Sequence, residues 1–285
     1  MIKLNKIKIL IAGIISLACI FFLFSKPTLV HAEEECEFAS NWKQVVTDYA
    51  TLTQIDFLKT VPTDYEDTNQ TINTDIQVYR SSSDTTKIAF IYDGVIKAPV
   101  NCKELFTDCS QVITIGFENF NTSQVTSMEY MFANCKKLSI LELSSFDTQN
   151  VMNMRSMFSR CSSIKQLDLS NFITPKLIAT LSMFNECENL TYLDISNLDT
   201  RQVTNMMSMF QSCSKLKGSF GKEGTAVKIG DNFKTQKVLT IQSMFTKCSQ
   251  IISFDLSSFD LTSLKTSPFQ YITNGVFTDC AFNIF

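Results

Sequence analysis

One histidine occurs in 285 residues, His31, and it falls in a leader segment expected to be removed. A chain without histidine cannot build a Ser-His-Asp triad, a Cys-His pair or a histidine-containing zinc site. Any catalysis would fall to carboxylates, Lys, Tyr or Cys. Basic excess is missing as well. The leader holds four lysines and no acid, so its loss leaves 21 bases against 28 acids, a net charge of −7. Nucleic acid is excluded as the main partner, because affinity for it comes from neutralising phosphates with Lys and Arg. An anionic membrane surface is excluded for the same reason. Cysteine is plentiful, but the residues are spaced singly and no CxxC pair occurs. A metal site needs two or more thiolates converging on one point, so no metal and no cofactor is implied.

The chain opens with "MIKLNKIK", then the apolar run "ILIAGIISLACIFFLF", then "SKPTLVHA". This is the layout of a secretory signal peptide over residues 1–32, cut after Ala32. The run is short for an uncleaved span of about 20 residues. Cys19 is followed by "IFFLF" rather than by polar residues, which argues against a lipid-modified cysteine. The expected location is therefore secreted or cell-surface, with no membrane contact after cleavage.

What is present is a repeat. Cys109, Cys135, Cys161, Cys187 and Cys213 stand 26 residues apart; Cys248 follows after 35 and Cys280 after 32. Each follows an apolar pair at a fixed offset, from Leu105-Phe106 through Met131-Phe132 to Val276-Phe277. Two rhythms run inside a repeat. Met128, Met131, Phe132, Cys135 and Leu138 are spaced like one face of a helical turn, which Thr126 or Ser127 could cap. "LELSS", "LDLSN", "LDISN" and "FDLSS" read as short strands with one buried face. The expectation is an α/β solenoid, one strand and one short helical turn per coil. Stacked coils share a continuous core, since no single unit buries its own apolar face.

The seven repeat cysteines share a position that is otherwise apolar, so they are expected as a column of buried thiols acting as small hydrophobes. Cys36 and Cys102 lie outside the column and could pair across the N-terminal region. Residues 33–103 do not repeat and read as a small β-rich cap, with Trp42 a cap aromatic. The solenoid is expected over 104–285. An insertion near 217–234 holds four of the eight glycines and reads as a loop or hairpin bulging from its coil. The last repeat ends at "FTDCAFNIF", where either AFNIF seals the stack or the chain continues.

"FNTSQVTSMEYMFANCKKL", "LELSSFDTQNVMNMRSMFSRCSSI" and "LDISNLDTRQVTNMMSMFQSCSKL" resemble the repeat of the BspA-like leucine-rich-repeat surface proteins of bacteria, FDTSxVTxMxxMFxxCxxLxxLDLS. The resemblance covers about residues 100–285. It departs at 172–190, where "ITPKLIATL" replaces "DTSxVTxM". It implies a leucine-rich-repeat solenoid that is secreted or surface-displayed. It also implies an adhesion or protein-binding role toward a host extracellular or cell-envelope protein. The family often carries a wall anchor downstream, and none follows in this sequence.

The outward strand positions would form a binding face: an acidic file of Glu142, Asp168, Asp194 and Asp255 beside Gln166 and Tyr192. A basic protein patch or a divalent cation would suit it. Asn at 168 and 194 should then weaken partner binding and leave folding intact. Two other functions compete with this one. A spacer without a ligand needs only the stack. A carboxylate glycosidase needs two acids about 5–9 Å apart and a pocket to raise one pKa, which a flat face does not offer.

Overall fold

The computed structural model describes residues 34–266 and 273–280. The signal peptide expected over 1–32 and the closing AFNIF lie outside them. The repeat region is a stack of coils, as expected, but its second rhythm is not helical. Among the described residues, the one α-helix, α1 (Trp42–Val45), lies in the cap. The α/β expectation is therefore corrected to parallel strands joined by turns.

The reason is coil spacing. Equivalent phenylalanines stack with centroids 5.6 Å apart for Phe106–Phe132 and for Phe132–Phe158, and 5.7 Å apart for Phe158–Phe184. A helix is about 10 Å across and cannot repeat at the ~4.8 Å rise that strand pairing sets. Tandem turns can. The N–H groups of Met131, Ala133 and Cys135 close four-residue turns onto the carbonyls of Met128, Tyr130 and Phe132. Those of Met128, Tyr130, Phe132 and Asn134 donate instead to the next coil, at Asn153, Arg155, Met157 and Ser159. Tyr130 (φ 55°) and Asn134 (φ 62°) take left-handed backbone at the third position of successive turns, as such turns require. Turns recurring every four residues place Met128, Phe132 and Cys135 inward, which is why their spacing imitates a helix. Asn101, Asn153 and Asn205 open the run, each accepting the N–H two residues on.

The cap supplies β1 (Glu35–Glu37), β2 (Gln54–Leu58), β3 (Tyr65–Ile72), β4 (Ile76–Ser81), β5 (Lys87–Ile91) and β6 (Val95–Lys97). The repeats supply β7 (Thr114–Gly116), β8 (Phe120–Asn121), β9 (Ile140–Leu141), β10 (Gln166–Asp168), β11 (Tyr192–Ile195), β12 (Gly218–Gly221), β13 (Val227–Ile229) and β14 (Ile251–Phe254). One sheet runs β3-β4-β5-β2-β7-β9, so the antiparallel meander β3-β4-β5 joins the solenoid through β2 with no break at position 103. A small sheet, β1-β6-β8, lines another side. Trp42 is fully buried against Phe90 and Phe106 and donates Nε1–H to Leu105 O at 2.8 Å, closing the first coil.

The third sheet, β10-β11-β13-β12-β14, corrects the expected bulging loop. The insertion doubles back and lays β13 between β11 and β12, all parallel. "AVKI" carries the strand alternation, and Val227 and Ile229 continue the buried column of Leu193 and Ile195. On the turn side the stack advances by a single step, Phe210 to Phe245 at 5.3 Å. The strand side thus gains a rung of about 4.8 Å that the turn side lacks.

Candidate functional site

The thiols come first, because they fix the geometry of every coil. Cys161 Sγ–H donates to Phe132 O of the preceding coil at 3.1 Å, and that carbonyl also accepts Cys135 N–H from its own turn. The pattern recurs for Cys135, Cys187, Cys213, Cys248 and Cys280, at 3.0–3.1 Å, undisturbed by either longer spacing. The phenylalanine carbonyl has two lone pairs, and in a dry core the thiol satisfies the second. Cys109, in the first coil, is buried as well. Burial pushes the Cys109 thiol up to about 11 and the Cys187 thiol up to about 12, and holds Cys135, Cys161 and Cys213 well above the usual value. Groups so hard to ionise are poor nucleophiles and poor metal ligands. Cys36 and Cys102 are free thiols with separate partners. Cys36 sits on β1, with Sγ 3.8 Å from Asp75 Oδ2, while Cys102 donates to Pro99 O at 3.1 Å.

The acidic file is occupied locally. Asp168, Asp194 and Asp255 each accept the N–H two residues on, from Ser170, Ser196 and Ser257, at 2.9, 2.9 and 3.0 Å. They cap the turn that ends each strand. Asp194 is buried, accepts Tyr192 Oη–H at 3.3 Å, and pairs with Lys228 Nζ at 3.2 Å. Burial alone would raise its pKa, but the Ser196 hydrogen bonds and the Lys228 ammonium outweigh that and hold it below the ordinary carboxylate value. In register, Lys228 of β13 stands directly beside Asp194, so a cation interrupts the file between Asp194 and Asp255. Glu142 and Gln166 are exposed and Tyr192 is half-buried. The file is thus not a continuous anionic strip, and its buried member cannot be neutralised without touching the fold.

A second surface escaped the sequence reading. Just before each tandem turn, the main chain forms a flat parallel ladder. Thr126 N–H donates to Val100 O, Met152 to Thr126 O and Ile178 to Met152 O, at 2.8–2.9 Å. Asn101, Ser127, Asn153 and Ala179 bridge alongside it. Val100, Met152 and Ile178 are 51 %, 43 % and 52 % exposed. Half-buried Leu181 and Met207 follow at the next outward position. Lys103, Glu129 and Arg155 hold that same position nearer the cap and form a row of ion pairs, 3.6 and 4.0 Å. The signal was in the repeat: apolar residues recur at 100, 152 and 178, a column that turn propensity had hidden among loop positions.

No curated protein matches the chain. It is similar to the leucine-rich repeat protein TpLRR of T. pallidum, known from a crystal structure, at 14 % identity and a TM-score of 0.34, over 71 % of this chain and 99 % of that one. The model of the family described as "Mycoplasma protein of unknown function, DUF285" matches residues 100–223 and 194–273, which between them take in the thiol column from Cys109 to Cys248, the tandem turns that carry it and the inserted strand. On that match the chain belongs to the DUF285 family.

Proposed function

We propose that the chain is a secreted or surface-displayed, non-enzymatic protein-interaction module. Its contact face is the ladder carrying Val100, Met152 and Ile178. The supporting observation is the exposure of large apolar side chains at three of four successive rungs of one flat ladder. Exposed apolar groups aligned in this way are more than the scattered background of a soluble surface. The adjoining Met207 and the Lys103–Glu129–Arg155 row add the methionine and arginine character typical of contact patches. The partner class is an extracellular or cell-envelope protein with a complementary flat apolar surface.

The test is retention of purified matrix and envelope proteins on the immobilised chain, for wild type and for Met152→Lys/Ile178→Lys. These side chains point outward, so the double variant should keep its thermal midpoint and lose at least tenfold in affinity. Tyr192→Ala, on the acidic face, should bind as wild type. Loss with Tyr192→Ala alone would move the contact to the acidic face. Failure of the wild type to bind any protein would favour a spacer role.

A further inference from the structure

Two sides of the same coils carry opposite charge. On the turn side, a second outward column runs two residues ahead of the ladder. Buried Leu177 separates Lys176 from Ile178, and buried Val238 separates Lys237 from Leu239, so each pair shares the outer face. Lys176 Nζ donates to Asn150 Oδ1 at 2.6 Å, and Lys237 Nζ donates to Gln202 Oε1. Both ammonium groups thus rest on neutral amides. With Lys103 and Arg155 they place four cations around the ladder, against one acid, Glu129. This basic, apolar face belongs to a chain whose form without the leader carries −7. The strand side is its counterpart. Ile140 is 57 % exposed, and exposed Glu142 lies two residues on, on the same side of the strand. Exposed Asp168 holds the Glu142 position one coil later. Among the described residues neither carboxylate is in an ion pair, whereas Asp194, next in the file, is taken by Lys228.

The levels match as well as the signs. One coil carries Ile140, Glu142, Met152 and Arg155, and the next carries Asp168, Lys176 and Ile178. Coils rise by the strand spacing of about 4.8 Å on every side. Two copies standing side by side with parallel axes therefore bring Met152 and Ile178 level with Ile140. They also bring Arg155 and Lys176 level with Glu142 and Asp168. We propose that the ladder of one chain docks on the strand face of a second copy, with the apolar side chains in contact and the charges paired beside them. Each copy spends a different face in this contact, so it keeps one face for a further copy, and the product is a row or a ring rather than a closed pair. The inference rests on the ladder being a contact face and adds a second copy of the chain to its partners.

Sedimentation velocity of the chain without residues 1–32 tests it. Wild type should associate by about 100 µM, as weak interfaces of modest area do, and less at high salt, which screens the charge pairs. Met152→Glu/Ile178→Glu spoils the ladder, and Ile140→Lys/Glu142→Lys spoils the strand face. These four side chains are exposed, so both variants should keep the wild-type thermal midpoint, and each alone should stay monomeric. Mixed in equal amounts, they should form a one-to-one complex that grows no further, because the mixture holds one sound ladder and one sound strand face per pair. A monomeric wild type, a mixture that stays monomeric, or association of Ile140→Lys/Glu142→Lys by itself, the mark of ladder packing on ladder, would each overturn the proposal. A wild type that stays monomeric yet retains matrix or envelope proteins defeats this inference alone. One that self-associates and retains none of them defeats that partner class alone.

Discussion

At the scale of single residues, the fold is held by positions that do one chemical task in every coil. Cysteine suits its column because it is small enough for the core and still donates to the second lone pair of a phenylalanine carbonyl. The exception to such matching is Thr180. It replaces the methionine found at 128, 154 and 206, is fully buried, and leaves its Oγ1 without a partner. Thr180→Val keeps the shape and removes the unsatisfied hydroxyl. It should raise stability by about 1 kcal/mol, the usual penalty of such a group, measured by urea denaturation; an unchanged or lower midpoint would contradict this reading. The sequence showed that "ITPKLIATL" was irregular, but not that the irregularity leaves an orphaned hydroxyl.

At the scale of elements, the strand column was legible and the turns were not. Leu167, Leu193 and Ile195 alternate with polar residues and bury as the pattern predicts. The Met-Phe-Cys spacing fits a helix and a pair of tandem turns equally well, and only the narrow rise between coils decides between them. The acidic file was legible as a column, but the capping duty of each carboxylate and the intrusion of Lys228 were not, because β13 enters from a segment read as loop. That insertion depends on close backbone approach. A Cβ at Gly230 would lie 1.8 Å from Ser196 O. Gly230→Ala should therefore cost about 1–3 kcal/mol or more, the range for overpacking, and should lower the urea midpoint. The same change at exposed Lys237 should cost little.

At the scale of the whole molecule, the stack is a column of neutral thiols that titrate against the fold. A thiol with a raised folded pKa stays protonated in the coil, while the unfolded chain loses that proton above about pH 8.5. The unfolded state then binds fewer protons, and stability falls as pH rises, by up to about 1.4 kcal/mol per pH unit for each buried thiol. With Cys109 at about 11 and Cys102 and Cys187 at about 12 in the folded chain, the decline should continue to at least pH 11. Denaturation midpoints from pH 7 to 10 should fall steeply above 8.5, and less steeply in Cys161→Ala. On the acid side, Asp194 and Asp199 have lowered folded pKa values: burial opposes ionisation, but Ser196 with Lys228 and Arg201, respectively, outweigh it. Their contribution is present above about pH 4 and should be lost as pH falls below it.

The most direct test of the shared thiol column is cysteine titration with a coloured disulfide reagent, without reductant, in native buffer and in denaturant. All nine cysteines from Cys36 to Cys280 are free, and seven of them are buried in the stack or at its first turn. Denatured chain lacking residues 1–32, and with them Cys19, should therefore release nine equivalents. Folded chain should react promptly only at half-buried Cys280, the buried thiols following more slowly. Fewer than nine equivalents in denaturant, or prompt native reaction at Cys135, Cys161, Cys187 or Cys213, would contradict the account.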